Sequence, residues 1–64
     1  MSVHEYCCRV QVLLLDADIP MGDEILHCWD RGRASRAVTL SLEGNDAAAL
    51  ELAEDVAERW LLMV

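Results

Sequence analysis

The sequence predicts an α+β fold, a three-stranded antiparallel sheet with one C-terminal helix packed across one face. Two observations lead to this prediction. Most of the first two thirds of the chain alternates apolar and polar side chains, which is typical of half-buried strands. The last third instead repeats its apolar residues with the period of an α-helix. At 64 residues the chain is expected to be a single small α+β domain over residues 1–64.

Each predicted strand ends at a group of turn-forming residues. The alternation is clearest in the first and third strands and weaker in the second. The second and third strands would form a hairpin through a turn that contains glycine. The strands are predicted at residues 4–14, 25–29 and 36–43, with a loop at residues 16–24 and the hairpin turn at residues 30–35.

The predicted helix covers residues 47–64, after Gly44 ends the third strand. Asn45 or Asp46 is expected to cap it, because either side chain can accept a hydrogen bond from a free backbone N–H. No Glu or Gln follows at the spacing of a capping box. One face is apolar and should pack on the sheet, through Ala49, Leu52, Ala53, Val56, Trp60 and Met63. Leu62 lies off that face and is a candidate contact with a second copy or a partner.

The opposite face of this helix carries a row of acids, Glu51, Glu54, Asp55 and Glu58, at spacings of three, four and seven residues. A second group of acids, in the predicted loop, consists of Asp16, Asp18, Asp23 and Glu24. These eight residues are the candidate partner-binding site. Their spacing makes them a sparse imitation of a phosphate backbone, able to compete for a groove lined with cations. A solvated helix face is the simpler interpretation of the row.

The composition favours an interaction protein. Twelve Asp and Glu against five cations, all arginine, give a formal net charge of -7. This sign opposes direct binding to nucleic acid or to an anionic membrane, and it attracts cationic nucleic-acid-binding proteins. Because 55% of the residues are apolar, we also expect exposed apolar surface that a partner or a second copy covers. Thus a homodimer is the alternative.

The arginines Arg31, Arg33 and Arg36 fall in or beside the predicted turn. Arginine can bind phosphates by paired hydrogen bonds, which would make the turn a contact with nucleic acid. The total charge favours ion pairs instead, with Asp30, with the loop acids or with the acidic face of a second copy.

No metal, cofactor or enzymatic activity is expected. His4, Cys7, Cys8, His27 and Cys28 have the donor atoms for zinc, but strand alternation would place Cys7 opposite His4 and Cys8, and would separate His27 from Cys28. The same alternation argues against a thiol nucleophile formed by Cys28 with His27 and Asp30. An odd number of cysteines, the absence of a visible targeting segment and a Lys-free, Arg-rich composition predict the cytoplasm of a bacterial host.

A small acidic chain of short strands and one helix, with the segment Leu42-Glu43-Gly44-Asn45-Asp46 before an Ala-rich acidic helix, resembles small phage-encoded anti-CRISPR proteins. The resemblance implies a protein that blocks DNA recognition by a CRISPR surveillance complex, through acids that mimic DNA. The strand before Gly44-Asn45-Asp46 and the helix residues Ala53, Ala57 and Trp60-Leu61 are also similar to small strand-rich antitoxins of the HicB type. Those antitoxins carry a further DNA-binding segment after the helix, whereas this sequence ends at Val64.

Overall fold

A computed structural model describes residues 1–61, and this part of the chain forms three helices and no strand. The predicted α+β class and its three-stranded sheet are therefore wrong. The predicted first strand lies in a helix, and the predicted second strand, turn and third strand fall within one continuous helix, apart from the last residue of that strand. The helices are α1 (Val3–Asp16), α2 (Glu24–Leu42) and α3 (Asp46–Trp60).

Helix α1 begins at a side-chain cap. The hydroxyl of Ser2 accepts a hydrogen bond from the backbone N–H of Glu5 at 3.1 Å. Ser2 and Glu5 have the spacing of a capping box, a sequence signal for a helix start. The buried residues of α1, Cys7, Val10 and Leu14, are three and four positions apart, as on one face of a helix. The alternation that predicted a strand is thus superimposed on a helical period.

Helix α2 also buries one face, but that face is not apolar. Its buried residues are His27, Asp30, Ala34 and Ala37, at spacings of three, four and three. A histidine and an aspartate occupy positions where a helical pattern would show large apolar residues. Gly32 lies in the middle of this helix on its exposed side. The polar residues and the glycine together explain why this segment resembled a hairpin.

Helix α2 ends in a Schellman motif. Gly44 has a φ of 84°, in the left-handed region that glycine adopts without strain. The backbone N–H of Gly44 donates to the carbonyl of Ser41 at 3.2 Å, and that of Asn45 donates to Leu40 at 3.0 Å. Gly44 therefore ends a helix, whereas the sequence predicted the end of a strand.

The prediction of a C-terminal helix is confirmed over Asp46–Trp60. The side chain of Asn45, the N-cap residue, makes no capping hydrogen bond, so the expected side-chain cap is not formed. On the predicted apolar face, Ala49, Ala53 and Val56 are buried, and Leu52 and Trp60 pack against the core while partly exposed. Met63 and the candidate contact Leu62 lie outside the described residues.

Every helix packs against the other two. Because α2 runs antiparallel to its neighbours, the end of α1, the start of α2 and the end of α3 lie at one end of the bundle. Five of the nine buried apolar residues are alanine, and these small side chains let the helix backbones approach closely. The nine residues are Cys7, Val10, Leu14, Ala34, Ala37, Ala49, Ala53, Val56 and Ala57. None of the helices within residues 1–61 is long and apolar enough to cross a membrane.

Candidate partner-binding surface

The acidic row (Glu51, Glu54, Asp55 and Glu58) lies on the outer face of α3, and all four residues are exposed. Only one of them takes part in a salt bridge within residues 1–61. The carboxylate of Asp55 accepts a hydrogen bond from Nη2 of Arg59 at 2.8 Å, one turn further along the helix. The other three carboxylates therefore remain available to a cation from outside.

The acidic row borders an open groove between α2 and α3, with a volume of about 720 Å³. Arg36 and Leu40 of α2 form the opposite wall. Arg36 makes no salt bridge in the described part of the chain. A guanidinium or ammonium group that entered the groove would meet several carboxylates at once. Its lining residues are Arg36, Leu40, Asn45, Ala48, Glu51, Leu52, Glu54, Asp55 and Glu58.

The electrostatic influence of the acidic row extends to α1. Burial raises the pKa of the Tyr6 phenol, and the negative charges of Glu54 and Glu58 raise it further, as does Cys7. Tyr6 lies on the first helix, so the charges of Glu54 and Glu58 act across the space between α3 and α1.

The predicted loop acids surround the connection between α1 and α2. Asp16 is the last residue of α1 and Glu24 the first of α2, while Asp18 and Asp23 lie between them. The carboxylate of Glu24 accepts a hydrogen bond from the N–H of Gly22 at 3.1 Å. No hydrogen bond or salt bridge within residues 1–61 joins this group to the acidic row. The loop acids lie at the end of the bundle where α3 ends, whereas the acidic row runs along the outer side of α3.

A third group of polar side chains, which the sequence did not predict as a unit, lies between the helices. We call it the Asp30 cluster: His27, Asp30, Arg33, Arg59 and Trp60. The side chain of Asp30 is 0% exposed. Its carboxylate accepts hydrogen bonds from Nε of Arg59 at 2.6 Å, from the indole N–H of Trp60 at 2.5 Å and from Arg33. A charge that is costly to bury is thereby paired and hydrogen-bonded.

These contacts determine the ionisation of Asp30. Burial raises the pKa of its carboxyl group, but the hydrogen bonds from Arg59, Trp60 and Arg33, together with the charge of Arg59, outweigh burial. The pKa of Asp30 consequently lies below its ordinary value. The hydrogen bond to Asp30 raises the pKa of Arg59, although burial of the guanidinium opposes this change. Both groups therefore keep their charges in the folded protein.

His27 links this cluster to the first helix. Its Nε2 lies 2.9 Å from the carbonyl oxygen of Leu14, and since a carbonyl only accepts, Nε2–H is the donor. Its ring also meets the ring of Trp60 edge to face, with centroids 5.3 Å apart. All three helices are therefore joined at this end of the bundle.

The predicted arginine turn is wrong, because Arg31, Arg33 and Arg36 all lie within α2. One predicted ion pair is confirmed, since Arg33 binds Asp30. The sequence carried a signal for the Asp30 cluster in the helical spacing of His27, Asp30, Ala34 and Ala37, but two of these residues are polar.

The predicted excess of exposed apolar surface is found. Large apolar side chains stand out on α1, on α2 and in the connection between them. The most exposed within this region are Met21 (99%), Leu42 (71%), Ile25 (70%), Trp29 (62%), Leu15 (58%) and Val12 (57%). Ile25 and Trp29 are one helical turn apart and form a stripe on the exposed side of α2.

The cysteines are free thiols, as predicted. Cys7 is buried, Cys8 is partly exposed and Cys28 is exposed. The predicted separation of the possible zinc-binding histidines and cysteines relied on strand alternation, and that reason is wrong because these residues lie on helices. His4 and Cys8 share a face because they are four residues apart. No group of three or more possible metal ligands occurs among the described residues.

Comparisons of the chain with protein-family models, with curated proteins and with solved structures give no match. The groove beside the acidic row offers unpaired charge to a partner, whereas the Asp30 cluster uses its charges internally. Of the two, the acidic row is the candidate binding surface.

Proposed function

We propose that this chain is an acidic interaction protein that binds and inhibits a cationic nucleic-acid-binding protein. The observation that carries the proposal is the row of unpaired carboxylates, Glu51, Glu54 and Glu58, along an open groove. Glu51 and Glu58 are separated by roughly 10 Å along the helix axis, at about 1.5 Å per residue. Phosphates of one DNA strand advance about 3.4 Å per step, so the row covers about three steps between successive phosphates.

The distribution of the arginines supports this proposal. Asp30 binds two of the five, Arg33 and Arg59, between the helices. Arg9, Arg31 and Arg36 are the cations without a salt bridge in the part of the chain that the structure describes. Arg59 also pairs with Asp55, so the carboxylates of α3 that stay available to a cationic partner are Glu51, Glu54 and Glu58.

The most specific form of the proposal is a phage-encoded anti-CRISPR inhibitor that acts in the bacterial cytoplasm on a CRISPR surveillance complex. Its support is the small size, the acidity and the acidic helix after Gly44. The element order that contributed to this resemblance is not retained, because the strands are helices. The resemblance to strand-rich HicB-type antitoxins depended on a strand before Gly44, and that segment is also a helix.

The test is competition with DNA. Fluorescence anisotropy of a labelled target duplex on a purified, guide-loaded, DNA-targeting surveillance complex measures how much DNA this chain displaces. We expect displacement that weakens as salt is raised, because salt screens exposed charges. The triple variant Glu51→Gln, Glu54→Gln, Glu58→Gln should need about tenfold more protein, at about 0.5 kcal/mol per lost ion pair.

A matched control removes as many charges elsewhere. The variant Glu5→Gln, Glu43→Gln, Asp46→Asn also changes the formal net charge from -7 by three units, and all three positions are exposed. It should inhibit nearly as well as the unchanged chain. If neither the unchanged chain nor this control variant displaces DNA, the proposed CRISPR partner is wrong. If both triple variants inhibit equally, the acidic row is not the binding surface.

A homodimer is the second candidate, and the exposed stripe of Ile25 and Trp29 favours it. Apolar patches of this kind on small proteins are commonly covered by another chain. Light scattering across a concentration series would reveal a dimer, and Trp29→Glu should dissociate it. A monomer at all concentrations would remove this candidate. An inhibitor could also be dimeric, so the two experiments are independent.

A further inference from the structure

Three side chains outside the acidic surface form a hydrogen-bonded chain between α1 and α2. The Sγ of Cys8 lies 3.6 Å from Nε2 of His4, and Nδ1 of His4 lies 2.8 Å from Oγ of Ser41. The hydroxyl of Ser41 in turn lies 2.6 Å from the carbonyl oxygen of Val38. His4 and Cys8 are on successive turns of α1, and Ser41 is in the last turn of α2.

The direction of this chain follows from its last member. The carbonyl of Val38 can only accept, so the hydroxyl of Ser41 donates to it. The oxygen of Ser41 then accepts the Nδ1–H of His4. A neutral imidazole with its proton on Nδ1 has a free lone pair on Nε2, and this lone pair faces the thiol of Cys8. Thus His4 is held in the tautomer that can remove the thiol proton.

Cys8 also borders a cleft on the outside of α1. The cleft has a volume of about 540 Å³ and is lined by Cys8, Arg9, Val12 and Leu13. Val12 and Leu13 are 57% and 47% exposed, so they present apolar surface next to the sulfur. Arg9, also exposed, adds a positive charge at the same place. This combination fits an apolar chain that carries an anionic group.

The other two thiols lack one or both of these features. Cys7 is 0% exposed, and its thiol donates to the carbonyl of Ala49 at 3.7 Å. Cys28 is exposed, but no histidine contact is found for it within residues 1–61, and the ring of its neighbour His27 bonds to Leu14. Cys8 alone among the three combines partial exposure, a histidine acceptor and an apolar cleft.

We propose that Cys8 is a nucleophilic thiol that accepts an acyl group from a long-chain acyl-coenzyme A, with His4 as the base. His4 takes the thiol proton as the sulfur of Cys8 attacks the thioester carbonyl carbon. A new carbon–sulfur bond forms to Cys8 and the bond to the coenzyme sulfur breaks. The proton then passes from His4 to the departing coenzyme thiolate. The products are S-acylated Cys8 and free coenzyme A, with no oxidant or reductant involved.

The test compares the three cysteines within one molecule. The folded chain is incubated with palmitoyl-coenzyme A near neutral pH, and peptide mass spectrometry measures the acylation rate at each cysteine. General-base assistance contributes about 10²–10⁴-fold in enzyme sites, so we expect Cys8 to react at least about tenfold faster than the more exposed Cys28. An equal or faster reaction at Cys28 would overturn the proposal.

Three variants identify the source of the rate. His4→Gln should remove the advantage of Cys8 over Cys28, and Ser41→Ala, at a positioning residue, should reduce it. Leu13→Asn, which adds no charge, should slow acylation by palmitoyl-coenzyme A more than it slows the reaction of Cys8 with iodoacetamide, a small polar reagent. Modification of Cys7 reports any loss of folding in these variants. An unchanged ratio of Cys8 to Cys28 in His4→Gln, with Cys7 still protected, would refute the role of His4.

Discussion

Helices α2 and α3 pack against each other but distribute their charges in opposite ways. On α3 the buried residues are Ala49, Ala53, Val56 and Ala57, and the acids point outward. On α2 the buried residues include His27 and Asp30. A carboxylate therefore has two roles in this protein. Inside, Asp30 joins helices; outside, the acidic row is free to meet another molecule.

The difference shows what a buried charge requires. Asp30 accepts hydrogen bonds from two arginines and one tryptophan, and no buried side-chain polar atom in residues 1–61 lacks a partner. Such an arrangement contributes little compared with an apolar core, but removing one member is costly because the others stay behind. We therefore expect stability to depend on Asp30 and binding to depend on the exposed acids.

The largest expected effect comes from Asp30→Asn. The substitution leaves Arg59 and Arg33 beside an uncharged amide, and we expect it to lower the free energy of unfolding by about 2–4 kcal/mol. A chain of this length has a total stability of about 3–10 kcal/mol, so the variant should be close to unfolding. Urea denaturation followed by circular dichroism measures the change. Asp18→Asn, the same chemical change at an exposed loop position, should be nearly neutral; equal effects would contradict the distinction.

The contribution of Asp30 should also depend on pH. Because its pKa is lowered in the folded protein, its stabilisation is fully present above the pKa of the unfolded chain, about 3.9, and is lost as the pH falls through the folded-state pKa. The difference in unfolding free energy between the unchanged chain and Asp30→Asn should thus be constant near about pH 6 and shrink below about pH 4. Urea titrations at graded pH measure it. A difference that stays constant into strong acid would show that charge is not its cause.

A smaller effect is expected at Gly32 in α2 and at Gly44, which follows the end of that helix. Gly32 lies within the helix, and a Cβ added there meets no atom within 4 Å. Gly32→Ala should therefore raise the unfolding free energy by about 0.5–1 kcal/mol. Gly44→Ala should lower it, since residue 44 has a φ of 84°. Thermal unfolding of both variants checks the pair. Destabilisation by Gly32→Ala would instead support a turn at this position.

The smallest effect on stability is expected from the acidic row. Neutralising Glu51, Glu54 and Glu58 together removes repulsion between like charges on neighbouring turns, and salt screens most of the repulsion between exposed charges. The free energy of unfolding should therefore stay constant or rise by up to about 0.5 kcal/mol. The same denaturation experiment tests this expectation. A large loss of stability would mean that the row is part of the fold, which would contradict the contrast with Asp30.

The helix that the sequence predicted is the one whose pattern is simple. In α3, apolar residues with the helical period occupy the buried face and acids occupy the exposed face, so amphipathicity alone was sufficient. In α1, the spacing of Cys7, Val10 and Leu14 fits a helix, while the alternation around them fits a strand. The possible capping box of Ser2 and Glu5 was the signal that favoured the helix.

The sequence by itself determined the charge, the free thiols, the third helix and the exposure of its acidic row, because these follow from composition and local period. Only the tertiary structure decided that residues 24–42 are one helix and that Asp30 belongs inside. That helix buries a charge at a position where the helical period predicts an apolar residue. The charge is tolerated only because Arg59 and Trp60, from a distant segment of the chain, donate hydrogen bonds to it. The local sequence around Asp30 carries no information about this contact between distant segments. The acidic row needs no such partner within the fold, so its exposure could be predicted from the helical period alone.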